Sequence, residues 1–143
     1  MLKTTLIHPQ ILNALGRSGH GSGVLISDGN YPHASGSPPN ADIVYLNLKP
    51  GTLSVCEVLE AVVSVIPVES AMIMETYDKQ DQPILKDFIR LLPDGTPIEK
   101  LERFDFYERA KDNSTTLVIA TGEQRRFANI LLTIGVVRAG EET

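Results

Sequence analysis

The chain has 143 residues, of which 42% are apolar, and a formal net charge of −5 at pH 7. This is enough apolar material to bury a core without disulfides or a metal, and we expect one domain over residues 1–143. The acidic balance argues against a nucleic-acid partner, because such proteins concentrate positive charge on one face. With Cys56 as its one cysteine, the chain cannot form an internal disulfide framework or a cysteine metal cluster.

The apolar segments are all short. The N-terminal apolar patch is too short for the core of a signal peptide, and no later apolar run approaches the thickness of a bilayer. A single cysteine also fits a reducing compartment. We therefore expect a soluble, cytoplasmic protein that does not contact a membrane.

The first elements along the chain are a helix and a strand. Pro9 suits the first turn of a helix, which Gly16 or Gly19 would end. Residues 24–27 then form an apolar run that is typical of a buried strand. A loop over residues 29–42 follows, rich in Gly, Ser, Pro and Asn. Loops of this length in small domains are often functional.

A second helix is predicted to begin near Ser54. Glu57 stands at capping-box spacing from it, and Pro67 should end the helix. Its apolar face would comprise Leu59, Val62, Val63 and Ile66. The remaining predicted elements are a strand over 70–76, a helix over 83–92 with Leu85, Phe88, Ile89 and Leu92 on one side, and strands over 115–120 and 130–137.

Strands that alternate with helices indicate an α/β protein. We expect three layers, α/β/α, around a mixed, largely parallel sheet. In such folds ligands bind outside the carboxyl ends of the strands. Asp28 lies at one such end, directly after the apolar strand.

The first candidate catalytic residue is His20. It lies within Gly19-His20-Gly21-Ser22-Gly23, where bare backbone lets a ligand approach closely. A helix C-cap and turn, with the histidine exposed by accident, explains the local pattern equally well. A phosphate loop does not fit, because the segment lacks the Lys-Ser/Thr ending and precedes a strand.

Asp28 is a candidate for ligand binding because its carboxylate would face a crevice at a strand end. An Asx-turn that begins Asp28-Gly29-Asn30 is locally the more ordinary explanation. The other two histidines, His8 and His33, have no clustered Cys or carboxylate at ligand spacing. We expect both to be solvated or structural and predict no metal site.

Residues 103–110, Arg-Phe-Asp-Phe-Tyr-Glu-Arg-Ala, combine three aromatics with two arginines and two acids. They could supply a ligand pocket with a phenol and a guanidinium. The alternative is an amphipathic helix with Phe104 and Tyr107 in the core. Farther on, residues 121–123 and 127–129 could be a polar turn, with Asn129 at a tolerant backbone position.

Four segments together resemble one family across nearly the whole chain. They are Gly19-His20-Gly21, Asp28-Gly29-Asn30-Tyr31-Pro32, residues 103–110, and Thr121-Gly122-Glu123 with the run 127–132 (Phe-Ala-Asn-Ile-Leu-Leu). In this order and spacing they resemble the fucose mutarotase and ribose pyranase family. The segment 103–110 is similar to its fucose branch.

The resemblance implies a cofactor-free isomerase that interconverts the anomers or ring forms of a fucose-like monosaccharide. It implies His20, Tyr107 and Glu69 as catalytic residues. It also implies that Asp28, Arg103, Phe127 and Asn129 contact the sugar. A further implication is a ring-shaped homo-oligomer, often decameric, in which each pocket is formed at a subunit contact.

Two positions depart from the family pattern. Glu69 stands where fucose-type relatives have an aspartate, and Phe127 stands where the family usually has a tyrosine. The missing hydroxyl bears on the identity of the sugar more than on the reaction. These departures also leave open a second interpretation, a non-catalytic sugar-binding or transport-accessory protein.

The chemistry implied is acid–base ring opening and reclosure. One group takes the proton of the anomeric hydroxyl, and another protonates the ring oxygen. Histidine suits this work, because its ordinary pKa of about 6.5 makes both protonation states accessible near neutral pH. No redox cofactor or metal is required.

Overall fold

A computed structural model describes residues 1–141 of the chain. In chain order this range forms the elements α1 (Pro9–Arg17), β1 (Gly23–Ser27), β2 (Asp42–Tyr45), α2 (Val55–Val63), β3 (Val68–Met74), α3 (Pro83–Leu91), β4 (Ile98–Leu101), α4 (Arg103–Ala110), β5 (Thr115–Ala120) and β6 (Ile130–Ile134).

The strands form a mixed six-stranded sheet in the order β2-β5-β1-β6-β3-β4. Three pairs are parallel, β2 with β5, β1 with β5, and β3 with β4. The strand β6 runs antiparallel to both of its neighbours, β1 and β3. Five strands therefore point the same way and end at one edge, called here the carboxyl edge of the sheet. The expected mixed, largely parallel α/β sheet is confirmed.

Both faces of the sheet are covered, because the central strands are apolar on both sides. Val24, Leu25 and Ile26 of β1 are all fully buried, which is typical of strands between two layers. Helices α1, α2 and α3 contribute to the apolar cluster on one face. Helix α4 contributes Phe106 and Ala110 to the second cluster, on the other face. These are the three layers expected from the sequence.

Local sequence signals placed most helix starts correctly. Ser54 accepts a hydrogen bond from the backbone N–H of Glu57, and the Glu57 carboxylate accepts one from the Ser54 N–H, which completes the capping box. Helix α2 ends at Val63, however, four residues before Pro67. Strand β3 begins and ends two residues earlier than predicted, and β6 ends at Ile134.

The sequence missed two strands and misassigned one helix position. Strands β2 and β4 were not predicted; both are four-residue edge strands, bordered on one side only and largely exposed, so they lack a strong apolar signal. Ile89 was assigned to the apolar side of α3 but is 57% exposed. Ile84 lies in the buried face instead, beside Leu85 and Phe88.

None of the helices within residues 1–141 has the length and apolar character needed to cross a membrane.

The loop between β1 and β2 folds back against the sheet and is fixed by side-chain hydrogen bonds. The buried Tyr31 hydroxyl donates to the Gly36 carbonyl at 2.8 Å. The His33 Nε2 lies 2.7 Å from the Ser27 hydroxyl at the end of β1. The Ser37 hydroxyl in turn donates to the His33 carbonyl. His33 is therefore structural, as one of the two sequence interpretations had it.

The buried His33 should make folding stability depend on pH. Burial lowers the pKa of His33, while a hydrogen bond with the Asp28 backbone opposes the effect. The unfolded chain, with an ordinary histidine pKa of about 6.5, then takes up a proton more readily than the folded chain. This contribution to stability is fully present above that pH and is lost as the pH falls towards the lower folded pKa.

We test this with His33→Gln, which keeps an N–H donor for Ser27 but cannot titrate. Urea unfolding at several pH values between 5 and 7.5 should show a smaller loss of unfolding free energy on acidification in the variant than in the wild type. Equal pH dependence in the two proteins would contradict the assignment.

Candidate active site

The antiparallel pairing of β1 with β6 brings the end of β1 and the start of β6 together at the carboxyl edge. Strand β1 ends at Ser27, and β6 begins at Ile130, which pairs with Ile26. Asp28 and Asn129, the residues just outside this pairing, are therefore neighbours although 101 positions separate them. Both side chains are almost fully buried.

Asp28 and Asn129 form a reciprocal hydrogen-bonded pair. The Asn129 Oδ1 accepts from the Asp28 N–H at 2.8 Å, and the Asn129 Nδ2 donates to Asp28 Oδ2 at 3.3 Å. The same carboxylate accepts from the N–H groups of Asn30, at 3.0 Å, and Ala128, at 3.2 Å. Burial raises the pKa of Asp28, and these donors partly offset the effect.

These bonds settle two local alternatives. The Asn30 N–H bond to Asp28 is an Asx-turn, as one interpretation of the sequence had it, yet the same carboxylate also lines a pocket. Asn129 is not at a tolerant turn position. Within the segment 127–129 the residue with positive φ is Phe127, at 60°, and Asn129 bonds Asp28.

Helix α4 places a cation and a phenol over the same edge. Strand β4 ends at Leu101, and the helix starts two residues later with Glu102 as its N-cap. Arg103 and Tyr107 lie one turn apart, and the Arg103 Nε donates to the Tyr107 hydroxyl at 3.2 Å. The predicted helix is present, but its register differs from the one expected.

Phe104 does not lie in the core, and Tyr107 lies at its edge. Phe104 is 64% exposed, whereas Phe106 and Ala110 are the buried positions of α4. A helix that buries positions four residues apart turns the adjoining stripe, with Arg103 and Tyr107, towards the edge of the sheet. The aromatic density of this segment therefore serves the pocket as well as the core.

A cavity of about 370 Å³ opens at this edge. It brings together all five residues expected from the sequence to lie on the strand ends, on α4 and before β6: Asp28, Arg103, Tyr107, Phe127 and Asn129. Tyr31 joins them, with its ring edge-on to Tyr107 at 5.5 Å. Buried acceptors thus form the floor of the pocket, and aromatic rings and a guanidinium form its wall.

Sequence reasoning missed four other lining residues, Asn30, Met74, Tyr77 and Arg126. Met74 and Tyr77 end or follow β3 at the carboxyl edge. The rule that ligands bind at the carboxyl ends of strands could have pointed to them, because Tyr77 is the first aromatic residue after that strand. Arg126 lies over the Phe127 ring, 5.5 Å from its centroid.

His20 and Glu69 lie elsewhere in the chain, and they pair with each other. The His20 Nε2 is 3.0 Å from Glu69 Oε1, and both side chains are about half exposed. His20 lies in a turn before β1, not at the cap of α1, which is Ser18. Its neighbour Gly21 bonds the carbonyl of Ile134, at the end of the antiparallel β6.

This pair therefore occupies the opposite edge of the sheet from the pocket. Strand β1 has five residues between the two edges, and at 3.3 Å per residue it separates them by roughly 16 Å. Neither His20 nor Glu69 can reach the pocket of its own chain.

The segment 121–123 is structural, although it belongs to the same resemblance. Glu123 is buried, and its carboxylate accepts from Arg125 Nε at 2.9 Å and from the N–H of Val55, at the start of α2. Burial disfavours its charge, but these donors hold the pKa of Glu123 below its usual value. Gly122 is required here, because a Cβ would lie 2.2 Å from the carbonyl oxygen of Thr52.

His8 is structural as well: its Nδ1 accepts the N–H of Ile11 at the start of α1. Over the described part of the chain, no group of three or more His, Cys, Asp or Glu side chains could hold a metal ion.

Known proteins are similar to this chain over nearly its whole length. The sequence model of the RbsD / FucU transport protein family matches residues 1–137. The fucose mutarotase of Mus musculus is 32% identical over 148 residues, which cover 94% of this chain and 93% of that protein.

Two solved structures have a similar fold. The fucose mutarotase of Streptococcus pneumoniae, crystallised in complex with L-fucose, has a TM-score of 0.81 and 28% identity, over 96% of this chain and all of that one. RbsD of Bacillus subtilis, complexed with D-ribose, has a TM-score of 0.83, with 24% identity and the same coverage. The latter likeness concerns the fold.

Proposed function

The chain belongs to the RbsD / FucU transport protein family, as the four sequence segments indicated, and on this premise we propose that it is a sugar mutarotase. It would open and reclose the ring of a monosaccharide and so interconvert its anomers, without a cofactor. The observation that carries the proposal is the convergence of Asp28, Arg103, Tyr107, Phe127 and Asn129 on one cavity at the carboxyl edge.

Each group in the pocket has a task that suits a sugar. The Asp28 carboxylate and the Asn129 amide offer directional acceptors and donors for ring hydroxyls. Arg103 donates to the Tyr107 oxygen, which leaves the phenolic proton for a sugar oxygen. Among the residues that one chain contributes to its own pocket, Tyr107 is accordingly the proposed acid–base group. Aromatic rings beside it provide flat apolar surface for the carbon face of the sugar.

A fucose-like monosaccharide is the proposed substrate. The curated relative and the Streptococcus pneumoniae structure are both fucose mutarotases, and residues 103–110 are similar to that branch. Phe127 presents a ring without a hydroxyl to the pocket, so the preference among related sugars is expected to be less strict at this wall.

A second copy of the chain would complete the site. His20 and Glu69 are hydrogen-bonded to each other but lie roughly 16 Å from the pocket of their own chain. Both side chains are half exposed in the single chain. This is required of residues that contact a neighbouring subunit, because a buried side chain could not reach it. We propose a ring-shaped homo-oligomer in which this pair faces the pocket of the adjacent copy.

In that arrangement Glu69 would orient His20, and His20 would exchange a proton with the sugar opposite Tyr107. Two positioned acid–base groups typically contribute about 10²–10⁴-fold each to a rate. We also propose a cytoplasmic location, which agrees with the single free cysteine.

The second candidate function is a sugar-binding protein without turnover. It is motivated by the changes at Glu69 and Phe127 and by the absence of His20 from the pocket of its own chain. Both functions require sugar binding, and only the first requires exchange between anomers.

Exchange NMR on L-fucose separates the two functions. Wild-type protein should accelerate the interconversion of the α and β anomers, and Tyr107→Phe, which removes one oxygen, should lower this acceleration by about 10²–10⁴-fold. Thermal unfolding of the variant should match the wild type, since within residues 1–141 the Tyr107 hydroxyl bonds only Arg103. Binding of the sugar without acceleration by the wild type would favour the binding protein and refute the mutarotase.

Complementation between inactive variants tests the shared site. His20→Ala and Tyr107→Phe should each lose exchange activity alone. Co-expressed with different tags and purified as mixed oligomers, they should regain activity, because about one quarter of the contacts in a random mixture join an intact pocket to an intact His20.

The matched control pairs His20→Ala with the double variant His20→Ala/Tyr107→Phe, in which no contact can be intact. Recovery of activity in the first mixture and not in the control mixture would support a site built from two copies. Equal inactivity of both mixtures, with mixed assembly demonstrated by the two tags, would refute it.

A further inference from the structure

Tyr77 is an exposed aromatic residue whose position is nevertheless defined at both ends of its side chain. The residue is 71% exposed. Its ring packs edge-on against Phe127, with centroids 5.1 Å apart and an interplanar angle of 89°. Its hydroxyl accepts a hydrogen bond from Arg103 Nη1 at 3.2 Å. An aromatic side chain held in this way lines the cavity without being part of the core.

The segment that carries Tyr77 is itself fixed. Asp78 accepts bonds from the Thr76 hydroxyl and from the N–H of Gln80. Gln82 donates through one amide nitrogen to two carbonyls, that of Met74 at 3.0 Å and that of Phe127 at 3.2 Å. The turn after β3 is thereby tied to the segment that precedes β6. Tyr77 and Phe127 are brought together by the backbone as well as by their rings.

Arg103 holds two phenols at once. Its Nε donates to the Tyr107 hydroxyl and its Nη1 to the Tyr77 hydroxyl, each at 3.2 Å. A phenol has one proton to donate, and here each oxygen already accepts from the guanidinium. Within residues 1–141 neither phenolic proton has an acceptor. Both are therefore available to an oxygen of a bound molecule.

From this arrangement we propose that Tyr77 is a substrate-contacting residue that determines specificity, with its hydroxyl donating to a ring hydroxyl of the sugar. The inference rests on the proposed mutarotase function and adds to it a second phenol, at the outer wall of the pocket. Phe127 offers only a hydrocarbon ring at this wall, so the hydrogen bonding there falls to its neighbours in the lining, Tyr77, Arg103 and Arg126.

The two phenols, Tyr107 and Tyr77, have different proposed roles because they occupy different positions in the pocket. Tyr107 is half-buried and packs against Tyr31 towards the interior. Tyr77 stands at the solvent side, on the turn after β3, where it would meet the part of the sugar farthest from the floor. A hydrogen bond that is made equally in the ground state and in the transition state affects KM and leaves kcat unchanged.

The test uses Tyr77→Phe, which keeps the ring against Phe127 and removes only the hydroxyl. For L-fucose we expect KM from exchange NMR and Kd from calorimetry to rise together by about 2- to 10-fold, the value of one net hydrogen bond, with kcat little changed. The matched control is Tyr45→Phe, which loses an exposed phenolic oxygen on β2 outside the pocket. Its KM and Kd should equal those of the wild type.

Deoxy analogues of L-fucose, each lacking one ring hydroxyl, show which oxygen is contacted. For the analogue that lacks the contacted hydroxyl, wild type and Tyr77→Phe should bind equally, whereas the other analogues should retain the difference between the two proteins. A Tyr77→Phe protein with wild-type KM and Kd for L-fucose would overturn the inference while leaving the mutarotase intact. If the wild type binds L-fucose without catalysing anomer exchange, and Tyr77→Phe binds it more weakly than the wild type, the contact of Tyr77 with the sugar would be supported and the mutarotase function overturned.

Discussion

The buried carboxylate of Asp28 is the constraint on which the pocket depends. It lies where β1 ends, and it must be satisfied by hydrogen bonds because an unpaired charge removed from water is costly. Its partners come from two separate parts of the chain: its own turn through Asn30, and the segment before β6 through Ala128 and Asn129. The bonds that stabilise this carboxylate therefore also position the residues around it. The loop from β1 to β2 and the entry to β6 are fixed by the same group that would bind the sugar.

The rest of the pocket follows from sheet topology. Five strands end at one edge, and the antiparallel β6 begins there, so turns from distant parts of the sequence meet at this edge. Helix α4 starts two residues after β4 and brings Arg103 and Tyr107 over it. By the same geometry His20 and Glu69, which precede or open their strands, lie at the opposite edge. A site that needs all of these residues must be built from two copies of the chain.

The sequence was sufficient to predict the α/β class, the buried strands and the residues that follow strand ends, because apolar runs and strand order determine them. Asp28 and Asn129 could be singled out, but their mutual hydrogen bonds could not, since these depend on the register of β1 against β6. The predicted buried face of α4 was wrong at Phe104 for a related reason. Two aromatics at helical spacing look like a core face until the adjacent Phe106 is seen to occupy it. Tyr77 was missed because its role arises from contacts with Phe127 and Arg103, far away in sequence.

Asp28 organises the pocket and, in the proposed function, also binds the sugar. Anomer exchange by Asp28→Asn tests this double role most directly. The amide has the same shape but no charge, and its nitrogen cannot accept a hydrogen bond. The variant therefore keeps the bond from Asn30 or those from Ala128 and Asn129, but not both sets. Hydrogen bonds to a charged group contribute about 1.5–3 kcal/mol, so kcat/KM for L-fucose should fall by roughly 10- to 100-fold. Asp94→Asn, at an exposed position outside the pocket, serves as the control and should exchange L-fucose at the wild-type rate. An Asp28→Asn protein that is folded and exchanges L-fucose as fast as the wild type would contradict the account.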